Sequence, residues 1–434
     1  MSSPKISIIG GGSTGAAIAH DLASRGFDVT LIERGNLIGG TSGRFHGLLH
    51  SGARYAVKDQ KAAAESIIDN KILSEIAPHC IQDTGGVFVE LEGDDKSYAG
   101  DFEKGCKAAG IPAEQVDVKA LLEAEPFLSK SIITAFKVPD KVINSFKLIT
   151  SLMLTAKSEG AKIKLNTEVV GFDVQDKTIK DIKVKDTLTG KTGVVDTDFV
   201  INASGPWISR ILDMLGINSV KTISSAGTMV VLDRKFSNLV VNRLRPPSDG
   251  DIIVPFFGKS IIGTTSFIAE DPDKVEIDED DPKFLVSEGS KLIPAVKNQP
   301  IERYYAGVRP LIATGGEADS REVTRDFKIF DHEKIDGLHG IATIGGGKLS
   351  TCRQIGKEVS DVVAKKFGVS TPSKTDRIKL LWPELDKVDL SEVSKQTSIP
   401  INLLKAIVSE SIEKTYSDIY SPAKDLVNAA LLLS

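Results

Sequence analysis

The stretch ISIIGGGSTGAAIAHDLASRGFDVTLIER, residues 6–34, contains the pattern that decides the fold. It begins with a short apolar run that predicts one buried strand, and three glycines follow in GxGxxG spacing: Gly10, Gly12 and Gly15. A helix pattern of small and apolar residues comes next, and a second apolar run ends at Glu33. Strand, glycine turn, helix, strand and terminal acid in this order predict a βαβ unit that binds a dinucleotide.

Each part of this unit has a physical role in dinucleotide binding. Gly10 permits the tight turn, Gly12 lets the backbone approach a pyrophosphate, and Gly15 lets the helix lie close to the sheet. The helix N-terminus presents free N–H groups and a positive dipole to the phosphates. Glu33 stands where a carboxylate can accept the hydroxyls of an adenosine ribose. A purely structural glycine turn is the alternative explanation of a lone GxGxxG motif.

The bulk composition narrows the class of protein. The chain has 434 residues, of which 41% are hydrophobic and 26% charged, as in soluble globular proteins. A net charge of -5 argues against nucleic acid as a partner. The three cysteines lie far apart, which indicates neither a disulfide framework nor a metal site. Because we find no signal peptide and no apolar run that spans a bilayer, we expect a cytoplasmic protein, with peripheral association at the inner face of the cell membrane as the alternative.

Later segments predict that the dinucleotide domain is discontinuous in sequence. Further buried strands run into glycine turns at residues 198–207 and 338–349, and residues 226–267 alternate like an antiparallel sheet. This interleaving favours a flavoprotein over a nicotinamide dehydrogenase, whose dinucleotide domain is usually contiguous. We predict a cofactor domain at 1–79, 143–225 and 330–369, a substrate domain at 80–142 and 226–329, and a short C-terminal helical segment at 370–434.

Periodicity and punctuation also predict individual elements. Helices are expected at residues 60–76, 97–109, 118–124, 146–159 and 284–293, and another opens at about residue 350. A strand is expected at 84–92 and a hairpin-like region at 168–197. Amphipathic patterns at 391–409 and 422–433 predict the helices of the C-terminal segment.

The segment IGGGKLST, residues 344–351, is a second candidate for cofactor contact. A strand here leads through three glycines into a helix start, so N–H groups and the helix dipole would stabilise negative charge on a reduced isoalloxazine. Lys348 would add a full positive charge. The alternative is a plain glycine-rich turn with a solvated lysine.

The loop at residues 39–55 gathers groups that transfer protons and bind anions: Arg44, His46, His50, Arg54 and Tyr55. A histidine can accept a hydroxyl proton near neutral pH, although both histidines could instead be packed loop residues that bond backbone carbonyls. Farther along, Arg309 and Arg325 carry guanidinium groups that match phosphate or carboxylate oxygens. Each of these two arginines could equally be a surface charge.

Taken together, these residues resemble the FAD-dependent glycerol-3-phosphate dehydrogenases. The resemblance runs from residue 6 to about residue 353 through several separate motifs: IIGGGSTGAAIAHDLASRG, TSGRFHGLLHSGARYAV, VINASGPW, RPPSDGDIIVPFFGKSIIGTTS, YAGVRPL, VTRDF and GGGKLST. The segments HGLLHSGARYAV and RPPSDGD are most similar to the catalytic A subunit of the anaerobic type. That combination is specific, whereas the glycine motif alone is not.

The resemblance implies an α/β fold with a glutathione-reductase-like (Rossmann-type) FAD domain and an antiparallel-sheet substrate domain. It implies that FAD is held by the two glycine segments, by Glu33 and by the turns between them. The residues that carry this implication are Gly10, Gly12, Ser13, Thr14, Gly15, Glu33, Arg34, Thr41, Ser42, Arg44, His46, Gly47, Leu48, Val169, Ala203, Gly205, Trp207, Gly346, Gly347, Lys348 and Leu349.

The resemblance also implies a reaction, namely oxidation of sn-glycerol 3-phosphate to dihydroxyacetone phosphate with hydride transfer from C2 to flavin N5. Basic residues matching Arg54, Arg309 and Arg325 would hold the small phosphorylated substrate, with Tyr55 nearby. Arg309 and Lys348 would lie toward the C2 hydroxyl. His50 is the candidate general base, a role that Arg309 or Lys348 could share.

One departure leaves the electron acceptor open. The catalytic chains of the anaerobic type usually continue into a cysteine-rich iron–sulfur domain, and this sequence has no cysteine beyond Cys352. A quinone or a partner protein is therefore the expected acceptor. The C-terminal segment would be either a helical cap or a docking surface for a membrane-associated partner, and a homo-oligomer is not excluded. The competing functions are a same-fold oxidase or dehydrogenase of a 2-hydroxy acid or amino acid, and a non-catalytic flavin-binding subunit.

Overall fold

The computed structural model describes residues 3–35, 38–312 and 327–382, together with Ser391 and Ser394. The helices in these residues are α1 Ser13–Ser24, α2 Gln60–Ile76, α3 Ser97–Ala108, α4 Val118–Ala124, α5 Ser145–Ser158, α6 Ile208–Asp213, α7 Asp280–Leu292, α8 His332–Ile335 and α9 Cys352–Phe367. None of these helices combines the length and the apolar character needed to cross a bilayer.

The strands of the same residues are β1 Lys5–Ile9, β2 Asp28–Ile32, β3 Leu48–Leu49, β4 Ile81–Gln82, β5 Gly86–Leu91, β6 Glu114–Gln115, β7 Ile132–Val138, β8 Lys141–Ile143, β9 Lys162–Lys164, β10 Thr167–Gln175, β11 Thr178–Asp186, β12 Thr192–Asp196, β13 Phe199–Asn202, β14 Thr222–Leu232, β15 Val240–Arg243, β16 Ile252–Val254, β17 Ser260–Gly263, β18 Phe267–Ile268, β19 Ile301–Ile312, β20 Phe327–Asp331 and β21 Ile341–Gly346. They form two large sheets and two small ones.

A six-stranded sheet carries the first βαβ unit, in the order β20-β21-β13-β1-β2-β9. Its strands pair in parallel except for β20, which runs antiparallel to β21. Helix α1 lies against the sheet and between α5 and α9, and its small residues permit this close packing. At Gly15 a Cβ would stand 1.9 Å from the carbonyl oxygen of Gly10, so only glycine fits.

A nine-stranded sheet forms the second layer, in the order β18-β14-β17-β16-β15-β5-β7-β6, with β19 also paired to β14. Every pair is antiparallel except β5–β15, which is parallel. The chain therefore enters this sheet at residues 86–138, leaves it, and returns at 222–312. The two smaller sheets are the three-stranded β10-β11-β12 and the short β3-β8-β4.

The α/β fold with an antiparallel-rich second sheet is confirmed. The chain enters the two large sheets in the order expected from the sequence. Two strands begin a few residues before the predicted boundaries: β14 of the nine-stranded sheet begins at Thr222 rather than after 225, and β20 of the six-stranded sheet begins at Phe327 rather than after 329. The division of the chain into domains at particular residues stays a prediction.

Two predicted helix starts need correction. Helix α7 begins four residues before the predicted start at 284, because Pro282 is tolerated in a first turn that Asp280 and Asp281 stabilise through the helix dipole. Helix α9 begins at Cys352 after a 3₁₀ turn at Leu349–Thr351.

The start of the C-terminal segment packs against the rest of the chain. Residues 370–382 form no helix, and they run back over the first layer, where the N–H of Leu380 donates to the oxygen of Ile76 at 2.8 Å. Tertiary contacts thus replace local helix formation in this stretch. The amphipathic patterns predicted at 391–409 and 422–433 lie outside the described residues, apart from Ser391 and Ser394.

A buried ion pair fixes α2 to the start of α9. The Asp69 carboxylate, which is fully buried, accepts from Arg353 Nε at 2.8 Å and Nη2 at 2.5 Å, and from the Gln354 N–H at 3.1 Å. Removing one partner of such a pair leaves a buried charge without compensation.

We therefore expect Asp69→Ala to lower the free energy of unfolding by about 3 kcal/mol, measured by urea unfolding. The matched control is Lys357→Ala, which breaks the exposed pair between Lys357 and Asp361 on the same helix. The control should lower the free energy of unfolding by less than about 1 kcal/mol. Equal costs for the two variants would contradict the account.

Candidate active site

A cleft with a cavity volume of about 480 Å³ lies where the two large sheets meet. Most residues predicted to contact cofactor or substrate line it. These are Gly10, Gly12, Ser13, Thr14, Glu33, Arg34, Thr41, Ser42, Arg44, His46, Leu48, His50, Tyr55, Val169, Ala203, Gly205, Trp207, Arg309, Gly346, Gly347, Lys348 and Leu349.

Three of the described residues predicted for the site do not line the cleft, and a fourth predicted residue is not described. Gly15 packs α1 against the β1 turn, and Gly47 lies against the ring of Phe256. Arg54 stands behind the cleft wall, where it pairs with Asp251. Arg325, with the VTRD motif that contains it, lies outside the described residues.

The first glycine turn forms a backbone cradle at one part of the cleft. Gly10 has φ +109°, and a Cβ there would stand 2.6 Å from the carbonyl oxygen of Ala203. Helix α1 begins at Ser13, whose N–H donates a hydrogen bond to Ser42 Oγ at 3.0 Å. Gly12 has no side chain with which to cap the helix, so the positive end of the dipole faces the cleft and suits a pyrophosphate.

The Glu33 carboxylate is oriented beside this cradle by backbone donors. Its Oε2 accepts from the Gly11 N–H at 2.7 Å and its Oε1 from the Gly35 N–H at 2.9 Å. Each carboxylate oxygen retains acceptor capacity after one hydrogen bond. Glu33 therefore fits the hydroxyls of a ribose without having to reorganise.

The second glycine segment forms another part of the cleft wall. Strand β21 ends at Gly346, and the backbone takes left-handed conformations at Gly346 (φ +82°) and Gly347 (φ +87°). The chain then enters the 3₁₀ turn at Leu349–Thr351 that precedes α9. This geometry exposes backbone N–H groups at a helix start, as the pyrimidine edge of a flavin requires.

His46 is a buried histidine that accepts a backbone hydrogen bond. Its Nδ1 accepts from the N–H of Leu48 at 3.2 Å, which leaves the ring proton on Nε2. Burial, together with the charges of Arg54 and Arg309, lowers the pKa of His46 to about 3. With Nδ1 already occupied, His46 is not suited to act as a general base.

His50 lies in an aromatic cluster with the other predicted reactive residues. Its ring is 5.5 Å from that of Tyr55 and 5.9 Å from that of His46, centroid to centroid. Lys348 Nζ lies 4.4 Å from the centroid of the Tyr55 ring and 3.3 Å from Ser66 Oγ on α2. The structure therefore brings His50, Tyr55 and Lys348 together, as the sequence predicted.

Arg309, from β19 in the second layer, lines the same cleft. Its Nη2 donates to Thr264 Oγ1 at 2.5 Å, and its Nη1 donates to Ser225 Oγ and the Ala226 oxygen, both at 3.3 Å. These bonds fix the direction of the guanidinium on the cleft wall. A fixed cation at this point can stabilise negative charge on a bound oxygen.

Arg54 belongs to a buried charge cluster with the RPPSDGD segment. Its Nη2 donates to the Ser248 oxygen at 3.1 Å and lies 3.4 Å from Asp251 Oδ2. Asp251, whose side chain is fully buried, also pairs with Arg245 at 2.7 Å. Two arginines thus share one carboxylate, and Arg54 Nη1 is buried without a hydrogen-bond partner among the described residues.

Two anchors of the histidine loop were missed by sequence reasoning. Asn70 Nδ2, from α2, donates to the oxygens of Leu49 and His50 at 3.2 and 3.3 Å. Asp140, buried behind the loop, accepts from the Ser51 N–H at 2.7 Å, and burial raises the pKa of its carboxyl. An ordinary helix residue and an acid before a short strand give no sequence signal of these long-range contacts.

The comparisons with known proteins identify the family. The family model of the FAD dependent oxidoreductases (DAO) matches residues 5–362, which is most of the chain. The A subunit of the anaerobic glycerol-3-phosphate dehydrogenase of Escherichia coli (strain K12) is 40% identical over 382 residues, covering 87% of this chain and 70% of the other. The chain belongs to the FAD-dependent glycerol-3-phosphate dehydrogenases.

Solved structures support the fold of this glycerol-3-phosphate dehydrogenase family member. The glycerol-3-phosphate dehydrogenase of Bacillus halodurans, solved with FAD, superposes with a TM-score of 0.68 at 22% identity, covering 98% of this chain and 81% of the other. An L-proline dehydrogenase from P. horikoshii superposes with the same TM-score at 21% identity, covering 87% and 96%. Because these identities are low, the superpositions establish the fold alone.

The glycine cradle allows a sharp test of cofactor binding. Gly10→Ala would strain a left-handed residue and drive a Cβ into Ala203, so we expect bound FAD to fall about tenfold or more. Gly26→Ala is the matched control, because Gly26 has φ +89° in the same βαβ unit with no described atom within 4 Å of its Cβ position. The flavin-to-protein absorbance ratio measures both variants, and equal FAD content would contradict the role of Gly10.

Proposed function

We propose that this chain oxidises sn-glycerol 3-phosphate to dihydroxyacetone phosphate with FAD as its cofactor. The observation that carries the proposal is the presence of Arg309 and Lys348 in the cleft with His50, and of Arg54 close enough to His46 for its charge to lower the pKa of that histidine. Such a set of groups suits a substrate that is both an anion and a secondary alcohol. The 40% identity to a chain of a glycerol-3-phosphate dehydrogenase supports the same substrate.

The cofactor would lie along the cleft between the two glycine segments. The Gly10–Gly12 cradle and the α1 N-terminus would hold the pyrophosphate, Glu33 the ribose, and the segment from Gly346 to Leu349 the flavin. When bound, FAD would supply the two-electron acceptor for the C2 hydride, and the electrons would pass on to an external acceptor, a quinone or a partner protein.

The buried cluster at Arg54 supports a phosphate subsite. Arg54 and Arg245 share the carboxylate of Asp251, and Arg245 also pairs with Glu288 at 3.3 Å, so the support for a phosphate lies in a buried donor rather than in excess charge. Arg54 Nη1 is a buried charged donor with no partner in the part of the chain that the structure describes, and a phosphate oxygen would satisfy it. Arg325 remains a proposed second phosphate ligand through the family resemblance.

His50 is the proposed general base for the C2 hydroxyl. It shares the cluster with Tyr55 and Lys348, and Asn70 holds its backbone in position. His46 is unsuited because its Nδ1 is occupied and its ring stays neutral over the physiological range. Arg309 and Lys348 would stabilise the oxygen as its proton leaves and the carbonyl forms.

Glycerol provides a direct test of the phosphate subsite, because it has the same C2 alcohol without the anion. We expect Arg54→Gln to raise KM for sn-glycerol 3-phosphate about tenfold or more while kcat/KM for glycerol changes little. Arg234→Gln is the control, since that guanidinium stacks on Phe236 at 4.9 Å, and Arg234 is not among the cleft-lining residues. An unchanged KM in Arg54→Gln, with normal FAD content, would refute the subsite.

Removing the proposed base should act on turnover and leave cofactor binding intact. We expect His50→Gln to lower kcat about 10²-fold or more, with normal FAD content. The matched control is His79→Gln, because His79 stacks on Trp382 and bonds Ser151 away from the cleft lining. A kcat close to that of the parent enzyme would exclude His50 as the base.

A further inference from the structure

A segment of the second layer crosses onto the cofactor layer at the cleft. This bridging segment, residues 269–279, connects β18 to α7, both of which belong to the nine-stranded sheet and its packing. At its centre stands Asp273, whose three partners come from two separate stretches of the cofactor layer. The contact therefore links parts of the chain that are far apart in sequence.

The contacts of Asp273 form one connected network. Its Oδ1 accepts from Arg34 Nη2 at 2.6 Å and from Trp207 Nε1 at 2.9 Å. Its Oδ2 accepts from Arg210 Nη1, and Arg210 Nη2 in turn donates to Asp271 at 2.6 Å. The Arg34 guanidinium also stacks over the Trp207 ring at 4.3 Å, so one carboxylate holds both members of the stack.

The position of this network relates it to the adenosine part of the cofactor. Arg34 directly follows Glu33, the residue oriented for the ribose, and both line the cleft. Trp207 and Asp273 line the same cleft, and Trp207 follows the turn at Ala203 that contacts the Gly10 cradle. The stack of Arg34 and Trp207 therefore forms a wall beside the expected adenosine site.

We propose that Asp273 is a positioning residue for cofactor retention: it holds Arg34 and Trp207 against the adenosine moiety and so slows the release of FAD. The inference rests on FAD binding alone and does not depend on the substrate proposed above. The substrate layer would thereby control how long the cofactor layer retains its cofactor.

Retention of FAD would depend on several contacts of Asp273 acting together rather than on one strong ion pair. Arg34, Arg210, Asp271 and Asp273 are 35–44% exposed at their side chains, so each ion pair alone would contribute little. Asp273, however, combines a two-pronged contact to Arg34 with bonds to Trp207 and Arg210. Burial opposes its ionisation, but the hydrogen bonds and charges of Arg34 and Arg210 lower the pKa of Asp273 to about 2, so it remains charged.

The sign of the effect separates positioning from long-range electrostatics. The four charged groups of the network sum to zero, and Asp273→Asn would leave a net positive charge beside an anionic cofactor. Electrostatic attraction alone would then slow FAD release. Loss of positioning would accelerate it, because Arg34 and Trp207 would no longer be held.

The test measures FAD release from the holoenzyme by the rise in flavin fluorescence after dilution. We expect Asp273→Asn to accelerate release about five- to tenfold. Asp271→Asn is the matched control, since Asp271 pairs with Arg210 but not with Arg34 or Trp207, and its release rate should stay within about twofold. Asp273→Glu should restore part of the slow release.

The salt dependence of FAD release and the melting temperature of the FAD-free protein distinguish a positioning role from a merely structural one. High salt screens exposed ion pairs, so the release rate should rise with salt more steeply in the parent enzyme than in Asp273→Asn. The melting temperature of the FAD-free protein should be the same for the parent enzyme and for Asp273→Asn. Unchanged or slower release in Asp273→Asn, or equal acceleration in Asp271→Asn, would overturn the proposal.

Discussion

At the turn between β1 and α1, the carbonyl oxygen of Ala203 lies 2.6 Å from where a Cβ of residue 10 would stand. Three strands meet here, because β1 pairs with β2 on one side and with β13 on the other. The missing side chain lets the α1 N-terminus, the Glu33 carboxylate and the Ala203 turn face one cleft. If this turn were displaced, none of the groups proposed to hold the dinucleotide would remain aligned.

The proposed reactive part of the site depends on a second constraint, which is the interleaving of the two layers. The loop with His50 belongs to the chain after β2, but β8, Asp140 and Asn70 hold it from other segments. Arg309 comes from β19 and the Asp251 cluster from the RPPSDGD segment. The groups proposed to act on the substrate therefore come together only when both layers fold and dock.

Local signals explain how much of the molecule could be predicted from sequence. Helix α2 has the predicted bounds because periodicity and the Asp59 cap define it locally. The glycine turns were predictable because backbone sterics leave few alternatives to glycine. The family resemblance then indicated the site, and most of its residues do line the cleft.

The rest depended on contacts between distant residues. Arg54 was predicted as a simple phosphate ligand, but its sharing of Asp251 with Arg245 arises only when residues about 200 positions apart meet. Asp273 stood in a charged stretch without any signal of its contacts to Arg34 and Trp207. The course of residues 370–382 could not be predicted, because their backbone bonds to distant residues in α2 and α5.

The central claim is that this chain by itself transfers electrons from a phosphorylated alcohol to its flavin. The most direct measurement is an anaerobic titration of the FAD-loaded protein with sn-glycerol 3-phosphate, followed by flavin absorbance and by assay of dihydroxyacetone phosphate. The account predicts loss of the oxidised flavin band with one ketone formed per flavin reduced. An FAD-loaded protein that stays oxidised with this substrate, but bleaches with 2-hydroxyglutarate or glycine, would contradict it.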